Sequence, residues 1–257
     1  MTKVNLNADM AEGFGAYDIG DDMAMLKIVG SANVACGFHG GDANVMDRVV
    51  GTAKAEGVSI GAHPGFNDLW GFGRRRISMA PREVEAMIAY QIGALQAMAA
   101  LHGMKVTHMK PHGALNNMAS EDRDLAEAIV RATRAVDPAI ILLATTGSEL
   151  MKAGVTLDVP TASEVFADRT YDAKGSLTSR KRDDAMIRDP GQAVEHVLRM
   201  IETGKVRSTD GVEVPVTVHS ICIHGDEPTG PAVAAAVRAA LEARGIEVVT
   251  LPEVPLN

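Results

Sequence analysis

Short apolar runs of β-type residues alternate with stretches whose apolar positions recur at helical spacing, from one end of the chain to the other. The runs predict strands at residues 4–7, 32–35, 58–62, 106–109, 140–144, 161–166 and 217–223, with a weaker one at 247–251. Helices are predicted at 43–56, 81–101, 122–135, 148–153, 191–203 and 231–244. The helix at 81–101 has the clearest pattern. Val84, Met87, Ile88, Leu95 and Met98 share one face, Pro81 suits the first helical position, Glu83 favours the positive end, and Gly103 follows as a stop. In the last predicted helix Val233, Val237 and Leu241 repeat at i, i+4, i+8 ahead of Gly245.

Seven or eight βα units without a break in composition predict a single α/β barrel domain over residues 1–257, with a doubly wound open sheet as the competing architecture. Two loops interrupt the rhythm: 67–79, with Trp70 and the triplet Arg74, Arg75 and Arg76, and 167–182, with the run YDAKGSLTSRKR. Long loops in a compact domain are usually lids or binding loops. The segment KVRSTDGVEVPV, with Asp210-Gly211 between β-type residues, reads as a peripheral hairpin.

Composition narrows the partners. A net charge of −8 disfavours nucleic acid and anionic membranes, which select basic surfaces. No uninterrupted apolar run reaches the roughly 18 residues of a membrane span, and the start lacks the basic and apolar regions of a signal peptide, so a cytoplasmic location is expected. Cys36 and Cys222 have no CxxC spacing, which argues against a disulfide framework or a thiolate zinc site; both read as buried small residues. Aromatics, at 4%, are too few for a stacking platform. A homo-oligomer is expected only from its prevalence among soluble enzymes.

Four histidines, His39, His63, His112 and His224, sit in Gly- or Pro-flanked loops just after apolar runs. In a βα barrel those loops open on one face, so the four are expected to meet at one mouth. Asp9 and Glu12 follow the first strand, as a metal ligand and general base or as a helix cap with its capping-box partner. The glycines of GFHGGD (residues 37–42) permit close backbone approach to an anion, or simply a tight turn. Lys110 and His112 stand two apart, on one side if extended, and suit carbonyl polarisation and proton transfer; His108 alternates with them and points to the barrel interior. Asp168 and Arg169 follow the sixth strand, and His224 and Asp226 the seventh. An Asp beside an imidazole fixes its tautomer and raises its basicity. The Arg74–Arg76 triplet offers a carboxylate or phosphate clamp, with two of the three as plausibly solvated charge. If a divalent metal binds, the candidates are Asp9, His39, His63 and His112, drawn from different strands because no HxxxH or HExxH pair occurs. There is no GxxxxGK[ST] nucleotide loop and no GxSxG elbow.

At these residues the chain resembles the LamB/YcsF family. The matching segments are VNLNADMAEGFG, ANVACGFHGGD, GAHPGFNDLWGFGRR, KPHGAL, EVFADRTYDAKGSLTSR and ICIHGDEP, spread over almost the whole chain. The resemblance implies a seven-stranded, TIM-like (β/α)7 barrel related to the glycoside hydrolase/deacetylase superfamily. It also implies the role of the A subunit in an ATP-dependent 5-oxoprolinase, opening 5-oxo-L-proline to L-glutamate with partner subunits B and C. In that picture ATP, with Mg, is consumed by the complex and bound mainly by the partners, and this chain handles the phosphorylated lactam. Asp9, Glu12, Lys110 and His112 would be catalytic, with His39, His63, Arg74, Asp168, Arg169, His224 and Asp226 binding substrate. The chain departs from the family pattern at Asn5, Ala8, Ala11, Asn116 and Glu227, where Asp, Cys, Gly, Tyr and Asn are common. The alternatives are a metal-dependent N-acyl-sugar deacetylase and a non-catalytic protein that only binds the lactam.

Overall fold

The computed structural model describes residues 2–226 and 228–256; Glu227, one of the departures above, lies outside the described residues. Seven parallel strands form the barrel: β1 (Lys3–Met10), β2 (Ser31–Ala35), β3 (Ser59–His63), β4 (Val106–Met109), β5 (Ile141–Thr145), β6 (Thr161–Phe166) and β9 (Ser220–Cys222). Closure is made by β9, which pairs with β6 on one side and with β1 on the other, Asn5 opposite Ser220 and Asn7 opposite Cys222. The open-sheet alternative is thereby excluded. The weak last strand, β10 (Glu247–Val249), pairs with the start of β1 outside the ring. The expected hairpin is β7 (Lys205–Arg207) against β8 (Glu213–Pro215), antiparallel.

Helices pack around the ring: α1 (Asp22–Leu26), α2 (Ala43–Glu56), α3 (Pro81–Leu101), α4 (Gly113–Glu121), α5 (Arg123–Val136), α6 (Glu149–Thr156), α7 (Pro190–Thr203) and α8 (Gly230–Ala243). Asp42 caps α2 by accepting from the N–H groups of Asn44 and Val45, and Gly57 ends it in the left-handed region. At the head of α3, Glu83 accepts from the Ala80 N–H at 2.8 Å. By length and a mean hydropathy of 1.3, α3 would reach across a bilayer. Its Val84, Ile88, Ile92 and Leu95 are instead fully buried in the barrel's apolar layer, which is the position of a core helix.

Alternation along β1 sorts its side chains. Val4, Leu6, Ala8 and Met10 join the apolar layer, while Asn5, Asn7 and Asp9 point into the barrel. Along β1 and its neighbours the interior is therefore a polar column, beside a small separate apolar cluster of Ile141, Leu143, Ala162 and Leu251. Asn5 donates to Ser31 Oγ (2.8 Å) and accepts from Ser220 Oγ (2.6 Å), and Asn7 donates to Ser220 Oγ (2.7 Å). Asn33 donates to Asn7 Oδ1 (2.7 Å) and Asp9 Oδ1 (2.8 Å), and its own oxygen lies 3.0 Å from His108 Nε2. His108 is thus interior, as its alternation implied. It fits because β3 carries Gly61 there: a Cβ on that residue would lie 2.1 Å from the imidazole. Burial pushes His108 down to about 3, so it is neutral.

Candidate functional site

The loops after the strands open on one face, around a cavity of about 320 Å³ lined by Asp9, Glu12, His63, Arg74, Lys110, His112, Arg169 and His224 among others. His39 is fully buried just behind this lining, against His112. Eight of the eleven residues singled out from sequence therefore line the cavity, and His39, Asp168 and Asp226 stand behind them as partners.

Lys110, at the end of β4, stands at the centre. Its ammonium donates to Asp9 Oδ1 (2.9 Å) and to Cys222 Sγ (3.1 Å), and Glu164 Oε1 lies 2.9 Å away, outside hydrogen-bonding alignment. Burial alone would neutralise this lysine, but the negative charge of Asp9 and its neighbours outweighs it and holds the ammonium protonated. Burial likewise pushes Asp9 up, and the charges of His63 and Lys110 reverse that, holding its carboxyl well below the usual range. Glu164 is raised by burial against the pull of Lys110. The Cys222 thiol is raised well above its ordinary value by burial, and Cys36 is pushed up to about 12, so neither is a ready nucleophile. Glu164 was not singled out from sequence. Its signal was a carboxylate between Ser163 and Val165, inside a strand buried on both faces.

Glu12, His39, His63 and His112 form a second group. Glu12 Oε1 is 3.1 Å from His39 Nε2 and 3.1 Å from His112 Nδ1. His63 Nε2 is 3.0 Å from His112 Nδ1 and 3.3 Å from Asp9 Oδ2. His39 and His112 stack face to face, centroids 3.6 Å apart and 4° from parallel, with Phe72 edge-on to both. Gly73, at φ +61, makes room: a Cβ there would meet His39 at 2.7 Å and His112 at 2.8 Å. Burial favours a neutral Glu12, yet its imidazole neighbours outweigh that and hold it ionised; His39 is driven by burial down to about 3.

On the far side, Asp168 accepts from the His224 backbone N–H (2.9 Å) and holds His224 Nδ1 at 2.9–3.0 Å. Burial raises the Asp168 carboxyl, but His224 more than cancels it and the group stays low. Arg169 is buried, donates to the Thr178 carbonyl (2.6 Å), and is lowered to about 10 by burial and by Arg180. Of the arginine triplet only Arg74 faces the cavity, bonded to Asp226 at 2.6 Å. Arg75 is taken by Asp68, and Arg76 lies 3.6 Å from Glu121. Asn5 lies deep in the column, so its departure from the family leaves the mouth untouched. Ala11 matters more, since it holds φ 58 where the family commonly has glycine.

A closed parallel barrel with carboxylates, imidazoles and a buried ammonium at its strand ends is a hydrolase-like α/β barrel, the kind in which strand-end loops carry chemistry. The LamB/YcsF family pattern matches residues 4–255, and the chain belongs to that family. It is 50% identical over 249 residues to the 5-oxoprolinase A subunit of Rhodopseudomonas palustris (strain BisB18), covering 96% of this chain and 98% of that protein. A solved structure, the lactam utilization protein of Thermus thermophilus, superposes with a TM-score of 0.91 at 44% identity, covering 97% of this chain and 100% of that one. The family 4 carbohydrate esterase of Streptomyces lividans, at 10% identity and a TM-score of 0.51, covers 100% of this chain and 97% of that one and shares the fold alone. The seven-stranded α/β barrel expected from sequence is borne out.

Proposed function

We propose that this chain is the A subunit of an ATP-dependent 5-oxoprolinase, a single catalytic domain that opens 5-oxo-L-proline to L-glutamate with partner subunits B and C in the cytoplasm. The observation carrying this reading is the near end-to-end match, at 50% identity, to a relative bearing that name. The cavity supports it: at about 320 Å³ it suits a small ligand, and cations stand on its walls to receive anionic groups. A lactam is a stable amide, so activation by phosphorylation falls to ATP bound on the partners, consistent with a chain that lacks a GxxxxGK[ST] loop.

The geometry supports a division of roles. Asp9 and Glu12 are held ionised so firmly that each is a weak proton acceptor; their charge serves to hold Lys110 and the imidazoles. His224, with Nδ1 fixed by Asp168, has Nε2 left to take a proton from water as it adds to the carbonyl carbon. The Lys110 ammonium, held by Asp9, Cys222 and the nearby Glu164, lines the cavity and would stabilise the oxyanion. The C–N bond then breaks and the ring nitrogen receives the proton, leaving an acyl phosphate at the former lactam carbonyl. A second water displaces inorganic phosphate from it, so the products are glutamate and phosphate. Arg74 and Arg169 would bind the substrate carboxylate or the added phosphate.

The test is ATP-dependent glutamate release from 5-oxoproline by this chain, alone and with subunits B and C. Glutamate formed with the partners, and lost on Lys110→Met, is the expected result. No glutamate from an assembled complex, with hydrolysis of an N-acetyl sugar instead, would transfer the site to deacetylase chemistry. Ligand binding and full complex activity despite loss of Lys110 and His224 would leave only a presenting role.

A further inference from the structure

The hydrogen bonds of His63 and His112 fix which nitrogen of each ring bears hydrogen. His63 Nδ1 lies 2.8 Å from the carbonyl oxygen of Lys110, and His112 Nε2 lies 2.8 Å from that of Phe72. A carbonyl only accepts, so both of those nitrogens carry N–H. The other two nitrogens, His63 Nε2 and His112 Nδ1, are then bare lone pairs in the neutral rings, yet they face each other at 3.0 Å. Glu12 Oε1, a third acceptor, is 3.1 Å from the His112 nitrogen and 3.9 Å from the His63 nitrogen. His39 donates to Glu12 Oε1, but in the neutral rings nothing among the described residues donates to His63 Nε2 or His112 Nδ1. Two lone pairs facing each other at 3.0 Å repel unless a cation sits between them.

We propose that Glu12 Oε1, His63 Nε2 and His112 Nδ1 form a binding site for one divalent transition-metal ion of the zinc class. Their separations of 3.0, 3.1 and 3.9 Å bracket the roughly 3.3 Å between neighbouring ligands on a tetrahedral ion with bonds of about 2.0–2.1 Å. The two rings stand at 89°, so an ion can lie in both ring planes at once. Both outer N–H groups are anchored on backbone carbonyls, the usual support for a metal-bound imidazole. All three residues line the cavity, so the remaining coordination position opens towards it.

His39 belongs to the same cluster of potential ligand atoms but is not a ligand. It stacks on His112 with planes 4° from parallel and centroids 3.6 Å apart, and an ion in the plane of one ring lies well outside the plane of the other. Its Nε2 instead donates to Glu12 Oε1 at 3.1 Å, which orients the carboxylate. Its Nδ1 is buried without a hydrogen-bond partner among the described residues, tolerable for a bare lone pair and costly for the N–H that ligation through Nε2 would require. Asp9 falls outside this cluster of ligand atoms: its Oδ1 holds Lys110 and Asn33, and although Oδ2 lies 3.3 Å from His63 Nε2, the carboxylate groups with Cys222 and His224 instead.

The test uses the full chain, stripped with a chelator, dialysed against Zn2+ and assayed for bound metal by elemental analysis; Co2+ substitution then gives the visible spectrum. The expected result is one ion per chain, a tetrahedral or five-coordinate Co2+ spectrum, and a melting temperature raised by Zn2+. His63→Gln and His112→Gln should each weaken binding at least a hundredfold, whereas His39→Asn should retain one ion with at most a tenfold to hundredfold loss. Absence of a stoichiometric ion in the unmodified chain overturns the proposal and leaves a shared proton between the two rings. Loss of the ion in His39→Asn as complete as in the ligand variants overturns the assignment of His39. None of these readouts involves 5-oxoproline, so the metal site and the proposed reaction stand or fall separately.

Discussion

Replacing Lys110 by methionine removes the one buried cation that compensates two buried carboxylates. Asp9 keeps its contacts to Asn33 and His63, but Glu164 Oε1 has no hydrogen-bond partner among the described residues and relies on the charge of the ammonium 2.9 Å away. Breaking such a pair from one side typically costs about 3–5 kcal/mol, because the survivor stays buried and charged or must take up a proton. At about 2–4 °C per kcal/mol for a chain of this size, K110M should melt roughly 10 °C lower. Adding Glu164→Gln removes the orphaned charge. The double variant should recover about half of the loss or more, a coupling of at least about 1.5 kcal/mol between sites in direct contact. Thermal and urea melts of the wild type, both single variants and the double variant read this out, while glutamate release stays absent wherever Lys110 is missing. If K110M melts within about 2 °C of the wild type, or E164Q gives no rescue, the ammonium does not hold the centre of the site together.

Asp22 is held up to about 6 by burial, so the stability linked to its proton is complete below about 3.8 and lost as the pH rises through 6. Asp22→Asn keeps an acceptor for the Ala11 N–H and should gain about 1 kcal/mol at pH 7 after allowing for partial exposure, the gain vanishing below pH 4 in melts across that range. Ala11→Gly relieves a side chain at φ 58 and should raise the melting temperature by about 2 °C, roughly 0.5–1 kcal/mol; a lower melting temperature would mean the loop carries no such strain. His224→Gln should reduce glutamate release by the complex about a hundredfold or more, with Asp168→Asn intermediate and both melting near the wild type; full activity in His224→Gln would return the base to a carboxylate.

Much of this architecture is legible in the chain because its period-2 and period-3.6 patterns are clean. The predicted bounds of α2 and α3 coincide with the observed ones, and the Asp210-Gly211 hairpin lies where its turn residues place it. α1 has only five residues, too short to show a period, and α4 reads GALNNMASE, whose paired asparagines resemble a loop until Leu115 and Ala119 are seen buried. The mouth residues follow from strand-tip grammar, but their pairing does not. That His63 meets His112 and Asp9 while Asp168 takes His224 depends on strand order around the ring. Nor does sequence show that His39 lies parallel to His112, the geometry that removes it from the ligand set.

The polar column also governs how the barrel comes into being. Asn5 and Asn7 at one end of the chain meet Ser220 near the other, so the ring cannot close until more than 200 residues have been synthesised. Contacts of such range form late and slowly. While β1 waits on the ribosome, its inward face shows asparagine and aspartate to water rather than the valine and isoleucine of an ordinary barrel lining. An unfinished chain therefore offers one sticky surface instead of two, and the residues that later build the polar column also keep the nascent strand soluble.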